Sequence, residues 1–142
     1  MSRRLPRHFT LADALRMLPD VEQTIRRLRR IRDELAALRQ TVEGQWAALE
    51  DDPATLTEIG EDQQRVERLE KEFGEAAGEL ERRGVLLRDL DMGLVDFPSL
   101  AGSAQIYLCW KVGEASIGFW HGLNEGYAAR KPLSTLPGQR RH

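Results

Sequence analysis

The sequence predicts an α+β protein in which a long antiparallel helical hairpin, similar to a coiled coil, precedes a small antiparallel β-meander. Apolar residues recur at three- and four-residue steps through the first half of the chain, which is the period of a helix. After Gly84 the apolar period becomes two, which is the period of a strand. We therefore expect one domain over residues 1–142, with a helical hairpin at 10–84, a sheet and closing loop at 85–130, and a flexible tail at 131–142.

The first helix is predicted to begin after Thr10, whose side chain can cap the backbone N–H groups of the first turn, with Asp13 three residues on. Pro19 lacks a backbone donor and clashes with the preceding turn, so we expect a kink or a fresh helix start there. From Asp20 a single apolar stripe extends to about Glu50. Its residues are Val21, Ile25, Leu28, Ile31, Leu35, Leu38, Val42, Trp46 and Leu49.

The second helix is predicted to begin at Pro53, after Asp52 as N-cap, and to end at Gly84. The short turn between the two helices predicts that they pack antiparallel as a hairpin. Three interior glycines, Gly60, Gly74 and Gly78, each lower helix stability by about 1 kcal/mol relative to alanine unless they permit close approach of a partner helix. The apolar face comprises Leu56, Ile59, Val66, Leu69, Phe73, Ala76, Ala77 and Leu80.

Four short strands are predicted beyond Gly84, with turn residues between them. Their connections are too short for parallel crossovers, so an antiparallel meander is expected. In the third strand, Ile106, Leu108 and Trp110 alternate with Tyr107 and Cys109, and the first set is expected to pack on the helices. The predicted strands are Val85–Leu90, Gly93–Phe97, Gln105–Val112 and Ile117–His121.

Charge and composition exclude several functional classes. The net charge of −2 provides no global attraction to nucleic acid or to anionic lipid. The run of arginines at 26–32 has acidic neighbours four residues away, which favours a solvated, ion-paired helix face. A lone cysteine fits a reducing compartment, and no apolar run approaches the roughly 18 residues of a membrane helix. We expect a soluble cytoplasmic protein that binds neither nucleic acid nor membrane.

Several short segments of the chain together carry a family resemblance. They are Phe9-Thr10-Leu11, Asp91-Met92-Gly93-Leu94-Val95-Asp96-Phe97-Pro98, Tyr107-Leu108-Cys109-Trp110, Gly113-Glu114, Trp120-His121, Gly126-Tyr127 and Arg130. With these segments the chain resembles an uncharacterised bacterial family, domain of unknown function 2203. The resemblance covers most of the sequence, and its motifs in the second half are specific in combination. It implies a single domain, and it assigns no activity, cofactor or catalytic residue.

Four polar residues form the candidate ligand-binding set: Asp96, Glu114, His121 and Arg130. Carboxylates with an imidazole suit a divalent ion such as Mg, Mn, Fe or Zn, although no metal motif identifies the ion. Asp96 is unusual because aspartate is disfavoured inside a strand.

Each candidate also has a structural interpretation. Asp96 can form an ion pair with Arg88, Lys111 or Arg130. Glu114 is expected to be exposed in a turn, and His121 to be a hydrogen-bonded, half-buried histidine. Outside the four, Asp91 is predicted to form a turn, and Cys109 to be a small buried apolar residue.

The leading functional hypothesis is a non-enzymatic interaction or scaffolding protein that uses its helical hairpin. A hairpin this long leaves apolar residues exposed near its tip, so we predict a homodimer or another helical partner. These residues are Trp46, Leu49, Leu56 and Ile59. The alternative is a small metal- or ligand-binding protein or enzyme, which requires the four polar side chains to converge on a shared cavity.

Overall fold

The computed structural model describes residues 8–49 and 53–137, and it has the predicted α+β architecture. Two helices, α1 (Leu11–Ala47) and α2 (Pro53–Arg82), precede a five-stranded sheet. The chain divides into two compact units. We call Arg26–Gly78 the helical unit, and the residues up to Ile25 together with those from Glu79 onward the sheet unit.

The start of α1 follows the capping chemistry that the sequence predicts. The backbone N–H of Asp13 donates to the Oγ1 of Thr10 at 3.0 Å, which satisfies one donor of the first turn. Pro19 lies inside α1, so the expectation of a fresh helix start there is wrong. A proline lacks one backbone donor, and in a helix of 37 residues the remaining hydrogen bonds and the buried stripe outweigh that loss.

The ends of α2 also match the prediction. Pro53 is its first residue, whereas the predicted cap Asp52 lies outside the described residues. Gly84 has a φ of 86°, and the N–H of Val85 then donates to the carbonyl of Leu80 at 3.0 Å. A side chain is strained at that φ, which explains the glycine that ends the helix.

Within the helical unit, α1 and α2 pack antiparallel along the predicted stripes. Gln45 donates to Asp62 at 3.0 Å, and farther along Arg39 forms an ion pair with Glu70. The partner of a later residue in α1 is therefore an earlier residue in α2, as in a hairpin. The buried core between the helices comprises Ile31, Leu35, Leu38, Val42, Val66 and Leu69, with Phe73 packed against it.

The turn end of the helical unit exposes two of the four apolar residues predicted to be exposed. Trp46 is 55% exposed and Leu56 is 51% exposed. Leu49 is half-buried, and the expectation for Ile59 is wrong because this side chain is buried. Ile59 lies seven residues before the core residue Val66 and so shares its face of α2.

The five strands form an antiparallel meander in sequence order, with each strand paired to the next. Glycines at φ values of 65°, 64° and 106° occupy three of the turns, at Gly93, Gly102 and Gly113. The strands are β1 (Leu86–Asp89), β2 (Leu94–Ala101), β3 (Ala104–Lys111), β4 (Phe119–Gly122) and β5 (Lys131–Pro132).

Two features of the sheet differ from the prediction. β2 continues through Pro98 to Ala101, where a long turn was expected, because Phe9 supports this stretch by donating its N–H to the carbonyl of Pro98 at 2.7 Å. The segment predicted as a loose tail forms β5 and a 3-10 turn at Leu133–Thr135. Pairing with β4 orders this segment, and residues 138–142 of the predicted tail lie outside the described residues.

The two faces of the sheet have different chemistry. One face carries buried apolar side chains, among them Phe97, Leu108 and Trp110. The Phe9 ring meets Phe97 edge to face at a centroid distance of 5.4 Å, and the Ser99 hydroxyl donates to the Phe9 carbonyl at 2.5 Å. The other face carries the polar residues that the sequence singles out.

Candidate functional site

The register of three strands places the site residues on one face of the sheet. Asp96 of β2 pairs with Cys109 of β3, and Tyr107 of β3 pairs with His121 of β4. Residues that pair across strands point to the same side, and so do residues two apart along one strand. The polar cluster that results is buried, because Asp96 and His121 are each only 2% exposed and Cys109 is fully covered.

The carboxylate of Asp96 lies at the centre of this cluster. Its Oδ2 accepts from the Nε of Arg88 at 2.9 Å, and its Oδ1 lies 3.0 Å from the Nε2 of His121. Of the three cations considered from the sequence, the structure selects Arg88 as the partner and adds His121. Partial burial acts to lower the pKa of Arg88, but the hydrogen bonds and charge interactions with Asp96 and Tyr107 together outweigh it, so this pKa is raised.

Both ring nitrogens of His121 face oxygen atoms. Nδ1 lies 2.9 Å from the carbonyl oxygen of Gly122, and Nε2 lies 3.0 Å from the Oδ1 of Asp96. Both oxygens accept, whereas a neutral imidazole carries a hydrogen on only one of its two nitrogens. A neutral ring can therefore donate to one of the two oxygens at a time. The histidine is also buried, where half-burial was expected.

Cys109 is buried as predicted, and its environment holds the thiol in its protonated form. Burial raises the pKa of this thiol to about 12, and the negative charge of Asp96 adds to the effect. The Nη1 of Arg130, 3.9 Å from the sulfur, opposes the shift without cancelling it. Because the thiolate is the nucleophilic form, a free Cys109 is unsuited to covalent catalysis at neutral pH.

Glu114 and Arg130 form the second ion pair of the polar face. The two guanidinium nitrogens donate to the two carboxylate oxygens at 3.1 and 2.9 Å, and the backbone N–H of Lys111 donates to the same carboxylate at 3.0 Å. The guanidinium also stacks over the rings of Phe119, at 4.0 Å, and Tyr127, at 4.5 Å. Glu114 is half-buried for this reason, so the expectation of an exposed turn residue is wrong.

The structure thus brings all four predicted residues into one network, but as two internally satisfied pairs. The pair of Asp96 with His121 and the pair of Glu114 with Arg130 are joined through Cys109, which is absent from the predicted set of four. Two cavities of about 330 and 290 Å³ are lined by residues outside this set of four. The shared cavity that catalysis requires is not formed at either place.

The predicted turn residue Asp91 is exposed in the turn between β1 and β2. In the same turn, the side chain of Asp89 accepts from the backbone N–H of Met92 at 2.9 Å. The predicted turn at Asp91 is confirmed, and Asp89 adds a side-chain hydrogen bond to it.

Comparison with protein families gives one result. The profile of DUF2203, described as an uncharacterized conserved protein, matches residues 7–133. The chain belongs to this family. The match extends over both helices and the five strands, and it confirms the resemblance noted from the sequence. Neither the comparison with curated proteins nor that with solved structures gave a match.

Three side chains of this DUF2203 chain offer atoms of the kinds that can bind a metal ion. A carboxylate oxygen of Asp96, the sulfur of Cys109 and a ring nitrogen of His121 lie within 4.8 Å of one another. Among the described residues, no helix combines the length and apolar character needed to cross a membrane.

Proposed function

We propose that this DUF2203 chain is a non-enzymatic interaction protein whose helical unit binds a second copy of itself. The observation that carries the proposal is the exposed apolar pair at the turn end of that unit. Trp46 lies in the last turn of α1 and Leu56 in the first turns of α2, and more than half of each side chain is exposed. Tryptophan is enriched among the residues that dominate interface energies.

A glycine beside this pair supports close approach of another chain. Gly60 follows Leu56 by four residues and so lies on the same side of α2. A Cβ at Gly60 would meet no described atom within 4 Å apart from those of its own neighbourhood in the helix. The chain's own packing therefore does not explain a residue that costs a helix about 1 kcal/mol relative to alanine. A helix from a second copy that packs closely at this point would explain it.

The distribution of charge favours a second copy over an unrelated partner. Residues 26–39 of α1 contain six arginines and two acids, whereas residues 58–75 of α2 contain seven acids and three bases. A two-fold axis would set α1 of each copy against α2 of the other, so each basic segment would meet an acidic one. Dimers of this kind are self-complementary by symmetry, which is the commonest arrangement of soluble oligomers.

A groove in the helical unit provides a further contact for a partner. This cavity of about 330 Å³ has apolar walls that include Leu35 and Phe73, and the ion pair of Arg39 with Glu70 lies beside them. An apolar side chain of the second copy inserted there would be desolvated between two helices. The groove adds area to the contact at Trp46 and Leu56, since that pair alone is small for a stable interface.

The polar face of the sheet gives less support to an enzymatic function. Its carboxylates and cations are paired with one another, and burial keeps the thiol of Cys109 protonated. We also place this protein in the cytoplasm, because its only cysteine is free. No role in nucleic-acid binding is proposed, because several charges in the arginine-rich segment have acidic neighbours, as in the pair of Arg32 with Asp33.

Sedimentation equilibrium at micromolar concentration tests the proposal. The wild type is expected to sediment as a dimer, and Trp46→Ala is expected to weaken association by at least roughly 30-fold, since hot-spot residues contribute 2 kcal/mol or more. Leu56→Ala is expected to weaken it as well. Raising the ionic strength should also favour the monomer, because opposite charges of the two copies would be screened.

Leu100→Ala is the matched control for Leu56→Ala. Leu100 is 49% exposed, almost as much as Leu56, but it lies on β2 in the sheet unit. Its truncation should leave the dimer unchanged. A wild type that remains monomeric at micromolar concentration would overturn the proposal, and a dimer that dissociates with Leu100→Ala but not with Leu56→Ala would place the interface elsewhere.

A further inference from the structure

We propose that Asp96, Cys109 and His121 together bind a divalent transition-metal ion of the zinc class. The three residues come from β2, β3 and β4, so one ion would join three neighbouring strands. The sequence indicates Asp96 and His121 as candidate ligands but does not identify this set of three, because the residues are 12 or more positions apart and match no zinc motif. The proposal concerns the sheet unit and does not depend on self-association of the helical unit.

The hydrogen-bond geometry of His121 is the first argument. Nδ1 lies 2.9 Å from the carbonyl oxygen of Gly122, and a hydrogen donated there leaves Nε2 as the nitrogen available as a ligand. Metal-bound histidines ordinarily donate their other N–H to a carbonyl or carboxylate, which sets the tautomer and the ring orientation. Nε2 faces the Oδ1 of Asp96 at 3.0 Å, so both atoms can bind one ion placed between them.

The distances are the second argument. Zinc binds nitrogen and oxygen at about 2.0–2.2 Å and sulfur at about 2.3 Å, so neighbouring ligands in a tetrahedral site are separated by about 3.3–3.7 Å. Nε2 and Oδ1 are 3.0 Å apart, and all three ligand atoms lie within 4.8 Å of one another. A movement of a few tenths of an ångström between His121 and Asp96, and of at most about 1 Å at the sulfur, would bring the three atoms to the spacing of neighbouring ligands, with a water molecule as the fourth ligand.

The neighbouring groups are the third argument, because they hold the ligands without occupying the ion's position. Arg88 binds Oδ2 of Asp96 and leaves Oδ1 for the metal. Arg130 lies near the sulfur of Cys109, and its charge is already balanced by the two-pronged contact with Glu114. A metal-bound thiolate would retain Arg130 as a hydrogen-bond donor, as in the outer shells of known metal sites.

The combination of donor atoms identifies the class of ion. A thiolate and an imidazole favour zinc, iron(II) or cobalt(II), whereas magnesium and calcium prefer sites made of oxygen atoms alone. All three residues are buried, so the ion would have little access to a substrate. We therefore assign it a structural role, in which it links the central strands of the sheet.

Titration of the untagged, chelator-treated full chain with cobalt(II) tests the proposal. The wild type is expected to bind one ion per chain and to develop the near-ultraviolet absorption of a cobalt–thiolate bond together with the visible bands of a tetrahedral ion. Cys109→Ser should abolish the near-ultraviolet band, because the thiolate is lost. Asp96→Asn and His121→Gln should each weaken cobalt binding by about 100-fold or more. Loss of an outer-shell partner of a metal ligand already weakens binding by up to about 100-fold, and loss of a ligand should cost at least as much.

Glu114→Gln is the control that distinguishes this set from the four residues suggested by the sequence. Glu114 belongs to the same polar face but contacts Arg130 and not the three proposed ligands. The variant should retain the cobalt–thiolate band, because all three proposed ligands remain. Leu56→Ala should also retain it, so that failure of the metal site and failure of the proposed dimer are distinguishable.

Thermal unfolding provides a second measurement that remains informative if a ligand variant folds poorly. Zinc should raise the Tm of the wild type in a concentration-dependent manner, because an ion that binds only the folded state stabilises it. Absence of both a cobalt–thiolate band and a zinc-dependent Tm shift in the wild type would overturn the proposal. So would a band that persists unchanged in Cys109→Ser, or one that disappears in Glu114→Gln but not in Asp96→Asn.

Discussion

The two units of this protein are stabilised in different ways. In the helical unit, apolar side chains of two helices meet along one stripe, and ion pairs such as that of Arg39 with Glu70 lie at the exposed margins. In the sheet unit, one face is equally apolar, but the other buries charged groups around Asp96. Exposed ion pairs contribute little to stability, whereas a buried charge depends on every one of its partners. The sheet unit should therefore be the more sensitive of the two to single polar substitutions.

Asp96→Ala is expected to have the largest effect. It leaves His121 buried without its carboxylate partner and removes the charge opposite Arg88. Breaking a buried ion pair by removing one partner costs about 3–5 kcal/mol. Urea denaturation followed by circular dichroism measures this loss in the free energy of unfolding.

Asp20→Ala is the matched control for that substitution. Asp20 pairs with Arg83 at 3.3 Å in the same sheet unit, but its side chain is 65% exposed. Its loss should cost less than about 1 kcal/mol. If the two substitutions lowered the free energy of unfolding equally, burial of Asp96 would not make its contacts more stabilising than exposed ones.

Alkaline pH should destabilise the sheet unit through Cys109. The folded state raises the pKa of this thiol from 9.0 to about 12, through burial and then the charge of Asp96. Below pH 9 the thiol is protonated in both states. Between pH 9 and about 12 the unfolded chain releases the proton and the folded chain keeps it, so stability falls by about 1.4 kcal/mol per pH unit.

Comparison with Cys109→Ser isolates this contribution from the tyrosines and lysines that titrate in the same range. The measurement is the free energy of unfolding at several pH values in the presence of a chelator, and the quantity compared is its slope with pH. The variant should have the shallower slope above pH 9, because serine does not ionise there. Parallel slopes would contradict the raised pKa of the thiol.

The sequence predicts the parts of this structure that are decided by residues close together in the chain. The apolar stripes of the helices, the start of α1 after Thr10 and the end of α2 before Gly84 are predictable because each depends on a few neighbouring residues. The continuation of β2 through Pro98 was missed because its support comes from Phe9, about 90 positions earlier. β5 was missed because its order depends on pairing with β4 and not on its own composition.

The candidate site illustrates the same limit. Asp96, Glu114, His121 and Arg130 were selected as polar residues in unusual positions, and the structure joins them in one network. The sequence predicts Cys109 as a small buried apolar residue, because a cysteine between apolar residues of a strand is ordinarily part of a core. Only the strand register, which pairs Cys109 with Asp96, shows that it belongs to the polar face. Residue type and alternation along β3 were available from the sequence, but the register was not.

The smallest expected effect compares the same substitution in the two units. At Gly74 in α2, an added Cβ meets no atom within 4 Å and the backbone is helical, so Gly74→Ala should stabilise the protein by about 1 kcal/mol. At Gly113, after β3, the space is equally open, but φ is +106°, which an alanine rarely adopts. Gly113→Ala should therefore destabilise by about 1 kcal/mol or more. Opposite shifts in urea midpoint at equal m-values would show that backbone conformation, and not available space, decides the outcome, whereas shifts of the same sign would contradict this account.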